Sequence, residues 1–144
     1  MRSLIDVNIL IALLDDTHSA HSRAHAWLAT ARDGIATCAI VENGAFRIMT
    51  QASYGGTRVA HTLPIVLDAF RTTTTHCDHQ RFAQSISLAD PTLFDHSRLL
   101  GPRQLTDVYL LGLAVAHHAA LVTLDRSIPV TAVRGAKASQ LVVL

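Results

Sequence analysis

Short apolar runs alternate with stretches of helical periodicity along the whole chain, and this alternation restricts the fold more than any single motif. Residues 3–5, 35–38, 121–124 and 140–143 are brief, dominated by aliphatic or β-branched side chains, and bounded by polar or turn-forming residues, which predicts strands. Helices are predicted over 9–14, over 19–31 with Trp27 and Leu28 as anchors and a close at Asp33-Gly34, and over 40–50. In the last of these Glu42, Ala45, Phe46 and Met49 share one face. A further helix follows Thr106, expected as its N-cap, with Asp107, Leu110, Leu111, Ala114, Val115 and His118 on one stripe. Between these regions the sequence predicts a helix over 57–71 that Pro64 kinks or divides, a polar loop over 72–75 and a short strand near 80–85. Residues 87–105, punctuated by Pro91, Gly101 and Pro102, read as irregular. Strands alternating with helices indicate an α/β fold with a short, mainly parallel central sheet flanked by helices.

A length of 144 residues with 49% hydrophobic side chains suits one domain over 1–144. The apolar stretch 4–14 is broken by Asp6 and Asn8 and has no cleavage-site pattern, and no run reaches the roughly 18 apolar residues of a membrane span. Cys38 and Cys77 form no paired motif. The expectation is a reduced, cytoplasmic protein without a membrane segment. A net charge of +1 neither announces nor excludes nucleic acid. Lys137 is the lone lysine, and the arginine excess fits either phosphate recognition or the codon bias of a GC-rich genome.

Four carboxylates stand against apolar segments. Glu42, the only glutamate, falls on an apolar helix face; Asp6 and Asp125 each follow a predicted strand directly, and Asp107 opens a helix. Ligands of open parallel sheets bind outside the carboxyl ends of the strands, where Asp6 and Asp125 are placed. Buried carboxylates need a positive partner, and a hard divalent cation with hydrolytic chemistry is the obvious one. Each acid also has a plainer role: Asp6 as a helix cap, Asp107 and Glu42 as residues favoured by a helix dipole, Asp125 as a turn residue. Asp15 and Asp16 are expected on a solvated helix end.

The segments Leu4-Ile5-Asp6-Val7-Asn8, Ile40-Val41-Glu42-Asn43-Gly44 with Arg47, Leu105-Thr106-Asp107-Val108-Tyr109-Leu110 and Leu121-Val122-Thr123-Leu124-Asp125 resemble, in order, the four signature stretches of PIN domains. The likeness is greatest to the VapC ribonuclease toxins of type II toxin–antitoxin systems and covers nearly the whole chain, including 97–101. The resemblance implies a PIN-like fold with an acidic site at the C-terminal edge of the strands. Asp6, Glu42, Asp107 and Asp125 would be both catalytic and metal-holding, with Mg2+ or Mn2+ as cofactor. Asn8, Thr106 and Thr123 would support them, and Arg126 is a candidate phosphate contact whose alternative is an exposed turn residue. The implied reaction is hydrolysis of RNA phosphodiester bonds that inhibits translation; the implied partners are RNA, a cognate antitoxin and a second copy in a homodimer. No acid follows Asp125, which leaves one metal or two open.

Other readings carry less. A receiver-type or haloacid-type phosphotransfer domain wants an acidic pair or D-x-D and a well-placed lysine, whereas Asp6 is followed by Asn8 and Lys137 lies in a late loop. A non-catalytic PIN-like module that binds RNA or protein has no need of four costly acids. His18, His21 and His25 on one helix and the run His76-Cys77-Asp78-His79 lack the paired spacing of a zinc site, and no histidine adjoins a serine or cysteine nucleophile.

Overall fold

In the computed structural model, which describes residues 1–55, 61–99 and 101–144, the carboxyl ends of the strands all lie at one edge of one sheet. Strands β1 (Ser3–Ile5), β2 (Ile35–Thr37), β3 (His79–Arg81), β4 (Ala120–Thr123) and β5 (Leu141–Val143) pair in parallel in the order β3-β2-β1-β4-β5. The chain winds from β1 towards β3 on one side and from β4 to β5 on the other, so the order reverses between β1 and β4. That is the topological switch point at which open parallel sheets hold ligands. The inner strands are buried throughout or nearly so, as expected where helices cover both faces, whereas edge strand β3 is polar and largely exposed.

Helices α1 (Val7–Leu14), α2 (His21–Leu28), α3 (Ala39–Met49), α4 (Leu63–Thr75) and α5 (Leu105–Ala116) connect them. Helix α1 buries Ile9 through Leu13, which is why its sequence is apolar almost all round. Its last carbonyls have no intrahelical partner, and two are met from α2: His21 Nδ1 lies 2.9 Å from the Ala12 oxygen and His25 Nε2 3.1 Å from that of Leu13. These histidines thus tie one helix to the next. Helix α3 packs closely on α1: a Cβ at Gly44 would come within 2.9 Å of Val7 Cγ2, so glycine there brings the Glu42 helix against the segment that follows Asp6. No described helix is long and apolar enough to cross a membrane.

Several boundaries differ from the sequence expectation. The expected start of the fourth helix, 57–60, lies outside the described residues. Pro64 sits in the first turn of α4, where a missing N–H is tolerated, and does not kink it. The threonines at 72–75 belong to that helix because their hydroxyls find its carbonyls: Thr74 donates to Phe70 at 2.9 Å and Thr75 to Arg71 at 2.8 Å. Strand β3 stops at Arg81, and beyond it the Gln84 Oε1 accepts from the Ile40 N–H at 3.0 Å at the start of α3. Helix α5 begins one residue before Thr106, continuing from a 3-10 turn at Pro102–Gln104, so Thr106 is not its N-cap. His118 lies beyond α5 with φ 53°, a left-handed helix ending.

Candidate active site

The register of β1 against β4 assembles the first half of the site. Pairing of Ile5 with Val122 puts the next residues, Asp6 and Thr123, side by side at the carboxyl edge. Asp6 is buried, 3% exposed, and both of its oxygens are engaged: Oδ1 accepts from the Ile9 N–H at 2.7 Å, and Oδ2 accepts from the Thr123 hydroxyl at 2.6 Å. It therefore caps α1 while facing the switch point, and the Asn8 backbone N–H also assists it. The Thr123 hydroxyl in turn accepts from the Asp125 N–H at 2.9 Å, so this one buried side chain ties the Asp6 carboxylate to the backbone that carries Asp125. Asp125 Oδ1 accepts from the Ser127 N–H at 2.7 Å, the turn role expected of it.

Asp107, in the first turn of α5, completes a trio. Burial, and after it the negative charges of Asp6 and Asp125, push its carboxyl up to about 6. Burial likewise raises Asp6, with the charge of Asp125 adding and the hydrogen bonds from Thr123, Ile9 and Asn8 opposing. The charges of Asp6 and Asp125 on Asp107, and of Asp125 on Asp6, make this edge of the sheet a place of negative potential.

Glu42 lies apart from that trio. It is buried on α3, but its Oε1 accepts from the Thr37 hydroxyl at 2.7 Å and its Oε2 pairs with Arg81 at 2.8 Å. Its charge acts on His79 and Cys38, whereas the charges acting on Asp107 are those of Asp6 and Asp125. Of the expected supporting residues, Thr123 is in direct contact with Asp6 and Asp125. The Asn8 and Thr106 side chains are exposed and, with Asn43 and Arg47, line a groove of about 490 Å³ beside the acids. Arg126 is exposed and makes no ion pair with the acids among the described residues.

Two features escaped sequence reasoning. Thr37, His79 and Arg81 surround Glu42; the only sequence signal was a polar His-Gln-Arg strand, which reads as a solvated edge. Asp15 is not solvated: it is 5% exposed, receives the Thr17 N–H at 2.9 Å and hydroxyl at 2.7 Å, and receives the Tyr54 hydroxyl at 2.6 Å. Burial pushes its carboxyl up, but those donors and His61 outweigh it and hold the acid below its ordinary value. Asp15 thus clasps the end of α1 to the segment after α3. Asp15→Ala should cost about 2 kcal/mol in urea unfolding by stranding the Tyr54 hydroxyl, without changing the activity of each folded molecule. A cost below about 0.5 kcal/mol would show the clasp to be incidental.

The donor set suits a hard divalent cation. It offers only carboxylate and hydroxyl oxygens, and the like charges that raise Asp107 are those a cation relieves. Among the described residues, no three acid, histidine or cysteine side chains stand close enough to ligate one ion together. Magnesium keeps several waters and is commonly held by one or two carboxylates, so it would need no more than two of Asp6, Asp107 and Asp125.

The PIN-domain family profile matches residues 3–133. Ribonuclease VapC44 of Mycobacterium tuberculosis is 43% identical over 146 residues, covering 100% of both chains. Ribonuclease VapC38 of the same organism is 35% identical over 131 residues, covering 88% of this chain and 86% of its own. Among solved structures, VapBC2 from Rickettsia felis bound to a DNA fragment from its promoter aligns with a TM-score of 0.56 at 15% identity, over 100% of this chain and 98% of that one. The parallel sheet with acids at its switch point, the profile match and the full-length relatives agree: the chain belongs to the PIN-domain family.

Proposed function

We propose that this chain is a divalent-metal-dependent endoribonuclease, the toxin of a toxin–antitoxin pair, that hydrolyses RNA phosphodiester bonds and so inhibits translation. The observation that carries the reading is the trio Asp6, Asp107 and Asp125, gathered at the sheet's switch point in a chain similar over its full length to a protein named a ribonuclease. Bound among these acids, Mg2+ or Mn2+ would polarise a phosphoryl oxygen, lower the pKa of a water and offset charge in the in-line transition state. Asp6 is fixed for that task by its two hydrogen bonds, and Thr123 ties it to the backbone of Asp125. One of the carboxylates would steer the proton of that water. Glu42 belongs to the same machinery as the fourth acid. The groove at Asn8, Asn43, Arg47 and Thr106 offers amide, hydroxyl and guanidinium donors to an RNA strand leading to the acids.

An antitoxin protein, a second copy in a homodimer and a cytoplasmic location belong to the same reading. The purified chain, free of antitoxin, should cut total cellular RNA at discrete positions with Mg2+ or Mn2+ and lose that activity in EDTA. A folded protein that binds RNA but leaves it intact under every metal would instead favour a non-catalytic binding module.

A further inference from the structure

The ion pair that holds Glu42 is built by the sheet. Thr37 and Arg81 are the last residues of β2 and β3 and are paired in register, so both reach the same carboxylate from adjacent strand ends. His79 Nε2 lies 2.8 Å from the same Thr37 hydroxyl. The two partners differ sharply in exposure, with the Glu42 side chain 10% exposed and that of Arg81 61%. Arg81 ends the edge strand at the same sheet edge as the aspartates and borders a groove of about 370 Å³ with Ala39, Phe82 and Gln84. A buried carboxylate bonded to an exposed guanidinium forms a pair that an anion from solvent can open, and the planar fork of arginine suits phosphate oxygens as well as carboxylate ones. The bond from the Ile40 N–H to Gln84 keeps the following segment docked on α3 independently of that pair.

We propose that Arg81 is a latch: it holds Glu42 away from the aspartate trio, and an RNA phosphate that takes over its guanidinium frees Glu42 to join Asp6, Asp107 and Asp125 at the metal. The latch rests on the nuclease reading and adds to it a positioning residue that makes RNA binding and metal binding strengthen each other by the same factor. It also restrains metal loading until substrate is present.

The test is Mn2+ titration calorimetry on the full chain as wild type, Arg81→Gln, Glu42→Gln and the double variant, with and without a non-cleavable 2′-O-methyl RNA oligonucleotide. Without RNA, Arg81→Gln should bind Mn2+ about tenfold more tightly than wild type, and that gain should vanish in the Glu42→Gln background. A general electrostatic effect of removing a cation would persist there. RNA should raise Mn2+ affinity more in wild type than in Arg81→Gln, and the variant's RNA affinity should show a shallower dependence on salt. An unchanged or weaker Mn2+ affinity in Arg81→Gln, or a gain that survives in Glu42→Gln, overturns the latch. Should circular dichroism show Arg81→Gln unfolded, the RNA-induced gain decides, since equal gains in wild type and Glu42→Gln also overturn it. Cleavage of RNA by the same wild-type preparation separates failure of the latch alone from failure of the nuclease reading.

Discussion

Asp6→Asn should lower metal-dependent RNA hydrolysis by on the order of 10³-fold while leaving the metal-free protein at least as stable as its parent. The two halves of this result arise from the same geometry. An asparagine oxygen still accepts the Ile9 N–H, which keeps the cap on α1, and its amide donates to the Thr123 oxygen where the carboxylate accepted. What is lost is a negative charge that burial and Asp125 already disfavour. Chemical denaturation in EDTA measures the stability half, and cleavage of RNA with Mn2+ measures the other. A destabilised variant would mean that Asp6 serves the fold as a charged cap; a stable and active one would remove it from the chemistry.

The second large effect is a pH dependence carried by Asp107. Its folded pKa of about 6 lies above the ordinary 3.8, so the folded state holds this proton more tightly than the unfolded one. Its contribution to metal-free stability is therefore most favourable below about pH 4 and is lost as pH rises through about 6. Asp107→Asn should flatten that slope and raise the thermal midpoint at neutral pH. Metal binding must expel the same proton, so at subsaturating Mn2+ hydrolysis should fall about tenfold for each pH unit below about 6. Added Mn2+ should move this limb to lower pH. A limb indifferent to metal concentration would place the titration elsewhere.

Much of this architecture was legible in the sequence because it depends on local periodicity. Strands β1, β2 and β4 are almost wholly buried and read as apolar runs, and α3 carries one apolar face, whereas α5, buried from Leu110 through Ala114, is covered nearly all round and not on the single stripe its sequence suggested. Asp6 and Asp125 were legible for a related reason, since a strand end in a parallel sheet is a defined place. What sequence could not supply was long-range register. Arg81 meets Glu42 only because β3 pairs with β2 at the sheet edge, and a short polar strand gives no periodic signal of its partner. Asp15 was misjudged because the Tyr54 hydroxyl that buries it arrives from 39 residues away. Pro64 and the threonines of α4 were misread for a different reason, as helix breakers in a place where a first-turn position and hydroxyl-to-carbonyl bonds remove the conflict.

The proposed activity requires that the aspartates at the β1–β4 switch point form a metal centre. Anomalous diffraction from crystals of the wild-type protein grown with Mn2+ tests it most directly. A manganese peak is expected among the Asp6, Asp107 and Asp125 carboxylates, and none in Asp6→Asn crystals grown under the same conditions. A wild-type site without manganese at saturating concentration, or a peak unchanged in the variant, would contradict it.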